Sequence, residues 1–234
     1  MYKVLSTNHA FYFSIAKQKL KDAEELDSLL EKDNSIAYLE RYKDINLKQS
    51  AIIISIIFSA LASEAFVNYY MHSILKEWED KEWKCRRNEI RKEIENELGI
   101  QYASETVAKC FKAPEMLSGV NRKLNFKDHS LAFRDFQTLF SRRNNLVHFK
   151  AVKEKGEKGK EKEFKDLSEV MSYLAPELLE HEEPRTAKDS LFYREVTTSM
   201  ARESIDSVIK ITKILEEVDS NVDSTWLEDS CTPN

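Results

Sequence analysis

Between Ala51 and Val67 the chain crowds Ile52, Ile53, Ile54, Ile56, Ile57 and Phe58 into a single stretch. A helix that is apolar on nearly every side has to be enclosed, either by other protein elements or by lipid. Ser55, Ser59, Ser63 and the charge of Glu64 interrupt the run. Its unbroken part is short of the roughly 20 residues that a membrane span requires. The stretch therefore predicts a central helix buried by its neighbours, with no membrane span.

Turn chemistry limits what those neighbours can be. Glycine and proline occur only four times each in 234 residues, and tight hairpins depend on them. The expected fold is all-α: an antiparallel helical bundle of four to five core helices, with inserted helices and few connections. With 41% apolar residues a sizeable core is available. Cys85, Cys110 and Cys231 are scattered and odd in number, which gives neither a disulfide framework nor zinc-ligand spacing. No metal and no cofactor are expected, and a reducing cytoplasm fits. The opening Met1-Tyr2-Lys3-Val4-Leu5-Ser6 lacks the apolar run of a secretory leader.

Helical spacing predicts a first helix over His9 to Lys32 and a short one over Ile36 to Tyr42. Asp44 then serves as N-cap of the apolar helix, which runs to about Leu75. Glu77 to Leu98 reads as an amphipathic surface helix, with a stripe of Trp83, Ile90, Ile94 and Leu98 and with Gly99 as its C-cap. A short helix is expected over Ser104 to Phe111, and a connecting loop over Met116 to Lys127. A further helix begins at Asp128 or Ser130, its apolar side made of Leu131, Phe133, Phe136, Leu139, Phe140, Leu146 and Val147. Lys153 to Lys165 has almost nothing to bury, so a mobile lysine-rich loop is expected over about 151–165. Leu167 to Leu179 resumes helical character. The last helix should span Asp189 to Val218, with Val196, Met200, Ile205, Val208, Ile211 and Leu215 inward. These elements make one domain, 1–219, with a core of about 44–218. A loose tail follows over 220–234, in which Trp226 and Leu227 could dock.

The residues with chemistry to offer lie at Arg143-Asn144-Asn145-Leu146-Val147-His148. Arginine presents a permanently charged planar fork that fits phosphate oxygens. Histidine exchanges protons near neutral pH. With eleven arginines and five histidines in the chain, an Arg-x4-His pair arises by chance roughly 0.2 times, so spacing alone decides little. The surroundings add weight: from Lys109 to Lys153 ten basic residues stand against three acidic ones, a net +7 in a chain of net charge −5. Such a block could recruit a nucleic acid, or it could be a solvated helix face. On a straight helix the two side chains sit about 140° apart. They can meet if the helix ends near Val147, or if two chains share one cleft across a twofold axis. Glu64, a carboxylate in an apolar helix, needs a partner. It either hydrogen-bonds within the bundle or holds Arg143 across it.

Arg143-Asn144-x-x-x-His148, near the end of a helix in an all-helical chain, resembles the HEPN superfamily (higher eukaryotes and prokaryotes nucleotide-binding). Ser59 to Asn68 is similar to the long central helix of such proteins. The resemblance covers about Asp44 to Val218, and it implies a helical bundle, a homodimer and metal-independent RNA cleavage. On that reading Arg143, His148 and Asn144 are catalytic. Arg142 and Lys150 bind substrate, and Glu64 supports the site. The 2′-hydroxyl of RNA is the nucleophile, and DNA resists cutting by this route. The protein would then act as a toxin or defence effector, with an antitoxin or regulatory protein as a further partner. The alternative is a non-catalytic HEPN-like module that binds RNA, a nucleotide or a protein. A purely structural helical scaffold is the third reading.

Overall fold

The computed structural model describes residues 8–32, 38–74, 80–110, 126–147, 154–155, 161–162, 196–219 and 222–228. Six helices lie among them: α1 (Asn8–Lys32), α2 (Tyr38–Ile74), α3 (Asp80–Leu98), α4 (105–110), α5 (Phe126–Val147) and α6 (Thr198–Val218). A single 3-10 turn, Thr225–Leu227, follows. The fold is all-α. Extended pairing among the described residues is confined to β1 (Glu154–Lys155) and β2 (Glu161–Lys162), a two-residue antiparallel ladder that pairs Glu154 with Lys162 and Lys155 with Glu161. It lies inside the stretch expected to be a mobile loop. Leu167 to Leu179 lies outside the described residues.

The apolar run sits in α2, which is long and apolar enough to cross a membrane by length and composition. Here protein encloses it: Ala51, Ile52, Ile56, Ala60, Ala62, Phe66 and Val67 are all buried. The helix is longer than expected. Tyr38–Ile74 is continuous, so Asp44 does not cap it, and Tyr38 to Tyr42 of the expected short helix belong to it. The buried serines resolve their hydroxyls locally. Ser59 and Ser63 donate to the carbonyls of Ser55 and Ser59, at 2.8 and 2.9 Å. Ser55 reaches across to the Ala16 carbonyl of α1 at 2.9 Å. With every hydroxyl bonded, this polar stripe can be buried without the penalty of an unmet donor.

Contacts fix the helix directions. Tyr12 meets Phe58, Ala16 meets Ser55 and Asp27 meets Lys48, so α1 and α2 run antiparallel. Glu24 pairs with Arg202 and Asp27 with Thr198, which sets α6 antiparallel to α1. Arg142 pairs with Glu203 and Asp135 with Lys210, which sets α5 antiparallel to α6. Phe133, Phe136, Leu139 and Phe140 from α5 fill the interior together with Ile205, Val208, Ile211 and Leu215 from α6. Two residues expected on the apolar side of α5 are not there: Leu131 is 71% exposed and Val147 is also exposed. Helix α5 begins at Phe126, before either residue proposed as its start.

Helix α3 is more than a surface element, because Ile90, Ile94 and Leu98 are fully enclosed. Gly99 closes it in the left-handed region at φ 63°, and Ile100 N–H donates to the Glu95 carbonyl at 3.0 Å. This is a turn that glycine adopts without a side-chain clash. Arg134 of α5 adds a cation at the same end, its Nε donating to the Leu98 carbonyl at 3.1 Å. Ser104 starts α4, its hydroxyl accepting from Val107 N–H at 3.2 Å. At α6 the cap is Thr197, so the helix starts at Thr198 rather than Asp189, and Val196 packs inward ahead of it. The tail also departs from expectation. Val222, Trp226 and Leu227 are buried, so 222–228 is docked and not loose.

Asp27 is the junction of three helices, bonded to Lys48 of α2 and to Thr198 of α6. Burial alone would raise its carboxyl pKa, but the bonds from Lys48 and Thr198 outweigh that and hold it below the usual value. A depressed carboxylate adds stability above its unfolded pKa and loses it as pH falls through the folded one. Partial exposure limits the contribution to about 1 kcal/mol. Asp27→Asn should therefore lower Tm near neutrality by about 2–4 °C. The gap to the parent should close as pH drops below about 4. A gap independent of pH would show that the carboxylate charge contributes nothing.

Candidate functional site

Adjacent positions on a helix point about 100° apart, and α5 uses this to send its two consecutive arginines in different directions. Arg142 turns to α6, where Nη1 donates to the Met200 carbonyl at 3.2 Å and Nη2 to Glu203 Oε2 at 2.6 Å. The Arg142 bond holds the Glu203 carboxyl below its ordinary pKa, against the opposing effect of burial. Arg143 turns to α2, where Nη2 donates to Glu64 Oε1. Its guanidinium also lies 5.8 Å from the Phe140 ring centroid. Of the two arrangements open to Glu64, the cross-bundle hold on Arg143 is the one present.

The environment of this pair is intermediate between core and surface: side-chain exposure is 22% for Arg143 and 31% for Glu64. Each charge is partly removed from water and is compensated by the other. Arg143 nonetheless keeps unused capacity. Its Nε is buried and has no hydrogen-bond partner. A guanidinium has five donors, and a buried donor left without an acceptor costs about 1–3 kcal/mol. Removing Glu64 alone would leave a half-buried cation as well. Asn144, next along the helix, is half-buried. The structure gives Arg143, Asn144, Arg142 and Glu64 their places; His148 and Lys150 lie outside the described residues.

The basic block looks different in three dimensions. Four of its ten cations have described side chains, and each is tied to the protein. Lys109 bonds Glu105 at 2.9 Å and Asn68 Oδ1 at 3.1 Å, Arg134 caps α3, Arg142 holds Glu203 and Arg143 holds Glu64. These four described cations are therefore engaged by the protein's own acceptors, and of the described arginines Arg143 alone combines a clamp on one side with a free buried donor. Arg91 also has a buried free Nε, and its guanidinium packs 4.3 Å over the Tyr102 ring. Among the described residues no group of three or more His, Cys, Asp and Glu side chains could hold a metal ion.

One cluster was not visible in the sequence. His9 is buried in a nest of Phe66, Tyr69 and Trp226, residues 57 to 217 positions away along the chain. Only the aromatic tail residue Trp226 hinted at it. Comparison with protein-family models, with curated proteins and with solved structures found no match. The chemistry of the site is thus a matter of its own side chains.

A double-mutant cycle reads the pair directly. Glu64→Ala and Arg143→Ala should each destabilise the chain, and the double variant should recover about 1–2 kcal/mol of the summed loss. Denaturant unfolding with a coupling energy near zero would show that the two side chains do not depend on one another.

Proposed function

We propose that the chain is a metal-independent endoribonuclease in which Arg143 engages the scissile phosphate and His148 moves the proton. The observation that carries this reading is the state of Arg143: a guanidinium gripped from one side by Glu64 and partly open to solvent. A phosphate oxygen can meet the open side of this guanidinium in the charge-assisted geometry that arginine favours. Because Glu64 fixes the cation in advance, little side-chain freedom is lost when an oxyanion arrives.

The reaction needs no outside nucleophile. The 2′-hydroxyl oxygen attacks the adjacent phosphorus as its proton leaves, and the bond from phosphorus to the 5′-oxygen breaks. A proton is delivered to that leaving oxygen, and the product carries a 2′,3′-cyclic phosphate. His148 follows α5 by one residue and is the chain's nearest group able to exchange protons at neutral pH. Arg143 neutralises the charge that grows on the non-bridging oxygens. Asn144 orients the phosphate or the imidazole, and Lys150 adds to binding. Arg142, occupied by Glu203, contributes to joining α5 with α6 before it contributes to substrate. In this reading two chains pair to bring two copies of the motif to one cleft, and the protein serves as a toxin or defence effector held in check by an antitoxin or regulatory protein.

A second reading rests on the same ion pair. Glu64 offsets the charge of Arg143, which suits a module that binds RNA, a nucleotide or a protein without turnover. The two readings part on catalysis. The purified chain should cut single-stranded RNA in the presence of a chelator. Arg143→Ala and His148→Ala should each lower the rate by about two orders of magnitude or more, at unchanged helicity. Salt-sensitive binding with no cleavage would favour the module. Folded variants that cut as fast as the parent would end the assignment of these two residues.

A further inference from the structure

The C-terminal segment is seated on a histidine that nothing in the proposed chemistry uses. His9, in the first turn of α1, is 6% exposed, and Trp226 is 5% exposed. Their ring centroids lie 5.0 Å apart, nearly perpendicular at 82°. Phe66 and Tyr69 of α2 flank the same imidazole at 5.9 and 5.6 Å. Trp226 also packs against Phe13 and Phe66, each at 5.3 Å. Two polar atoms in this seat are buried without hydrogen-bond partners, His9 Nδ1 and Trp226 Nε1. A neutral imidazole tolerates that, since an unprotonated ring nitrogen needs no acceptor. An imidazolium there would present an N–H donor at Nδ1 with no acceptor and a full charge taken out of water.

We propose that residues 222–228 form an acid-released clasp, held shut by the neutral imidazole of His9 and let go when that ring takes a proton. The other fastenings of the segment do not depend on the imidazole. Lys17 Nζ donates to the Leu227 carbonyl at 3.0 Å, and Tyr70 donates to Asp219 Oδ2 at 2.9 Å. Asp223 Oδ1 accepts from Thr225 N–H and Oγ1 at 2.9 and 2.6 Å. Among the described residues, the titratable groups around the seat are Lys17 from α1, Tyr69 and Tyr70 from α2, and Asp219 and Asp223 from the C-terminal segment. Asp223 is the one whose charge favours an imidazolium, and the aromatic faces add cation–π attraction. Loss of hydration outweighs them: burial holds His9 below the ordinary imidazole value, with Asp223 opposing only in part.

The direction follows from linkage. Above the ordinary value both clasped and open states carry a neutral His9, and the clasp is unaffected. Below it the open state binds a proton that the clasped state refuses, so acid favours opening. Asp223 remains ionised through this range, because its bonds from Thr225 keep its carboxyl lower than usual. Opening uncovers Phe13, Phe66 and His9 at one end of the α1–α2 pair.

The full chain with Trp78→Phe and Trp83→Phe leaves Trp226 as the sole tryptophan. Its emission and acrylamide quenching can be followed from about pH 7.5 to 5 beside far-UV helicity. The expected result is a red shift and stronger quenching with a midpoint below about 6.5, at constant helicity. That transition should be absent when His9→Phe is added, or His9→Gln should the phenyl variant fold poorly. The proposal is overturned if Trp226 stays shielded at the acid end. It is equally overturned if the transition persists without His9, or if helicity falls together with the tryptophan signal.

Discussion

Enclosure of α2 is the constraint on which the remaining architecture depends. A helix with isoleucines on most of its faces cannot stand against water, and burying its side chains returns roughly 1.5–3 kcal/mol for each large one. α1, α5 and α6 supply the cover, and their directions are pinned at the rim by Asp27 with Lys48 and Thr198, by Arg202 with Glu24, and by Arg142 with Glu203. Such rim pairs contribute little each. What they add is register: together they tie α1 to α2, α1 to α6 and α5 to α6, so sliding any of these four helices would break at least one of them.

The same economy shapes the candidate site. Glu64 is a carboxylate in the most apolar helix of the chain, and its cost is met by the arginine that α5 delivers to it. Removing one partner leaves a half-buried charge uncompensated, which is far more damaging than the pair is stabilising. Arg143 is therefore fixed by structure before any substrate is present. A cation so placed trades some of its charge for a defined position, which suits recognition of a phosphate by geometry more than by long-range attraction. The inward use of Lys109, Arg134 and Arg142 points the same way.

Much of this could be read from the residues alone. The scarcity of glycine and proline pointed to helices. The isoleucine run marked the buried helix, Gly99 marked the end of α3, and the awkward burial of Glu64 asked for a partner such as Arg143. What could not be read had physical reasons. Asp44 has the chemistry of a cap, yet α2 continues through it because tertiary cover can outweigh a local preference. Leu131 matches the apolar spacing of α5 but lies on a turn that no other helix covers among the described residues. Arg142 seemed free for substrate because nothing nearby in sequence pairs with it; its partner stands 61 positions on. The tail looked loose because its few apolar residues show no periodicity, whereas docking needs only Trp226 and a seat made by residues far upstream.

Product chemistry tests the central claim most directly. An RNA oligonucleotide and its counterpart with 2′-deoxyribose at every position, each incubated with the purified chain and a chelator, can be analysed by mass spectrometry of the fragments. The account predicts fragments ending in a 2′,3′-cyclic phosphate, or its opened form, from the RNA and an intact deoxy strand. Cleavage of both strands, or RNA fragments that never carry a 2′- or 3′-phosphate, would contradict it.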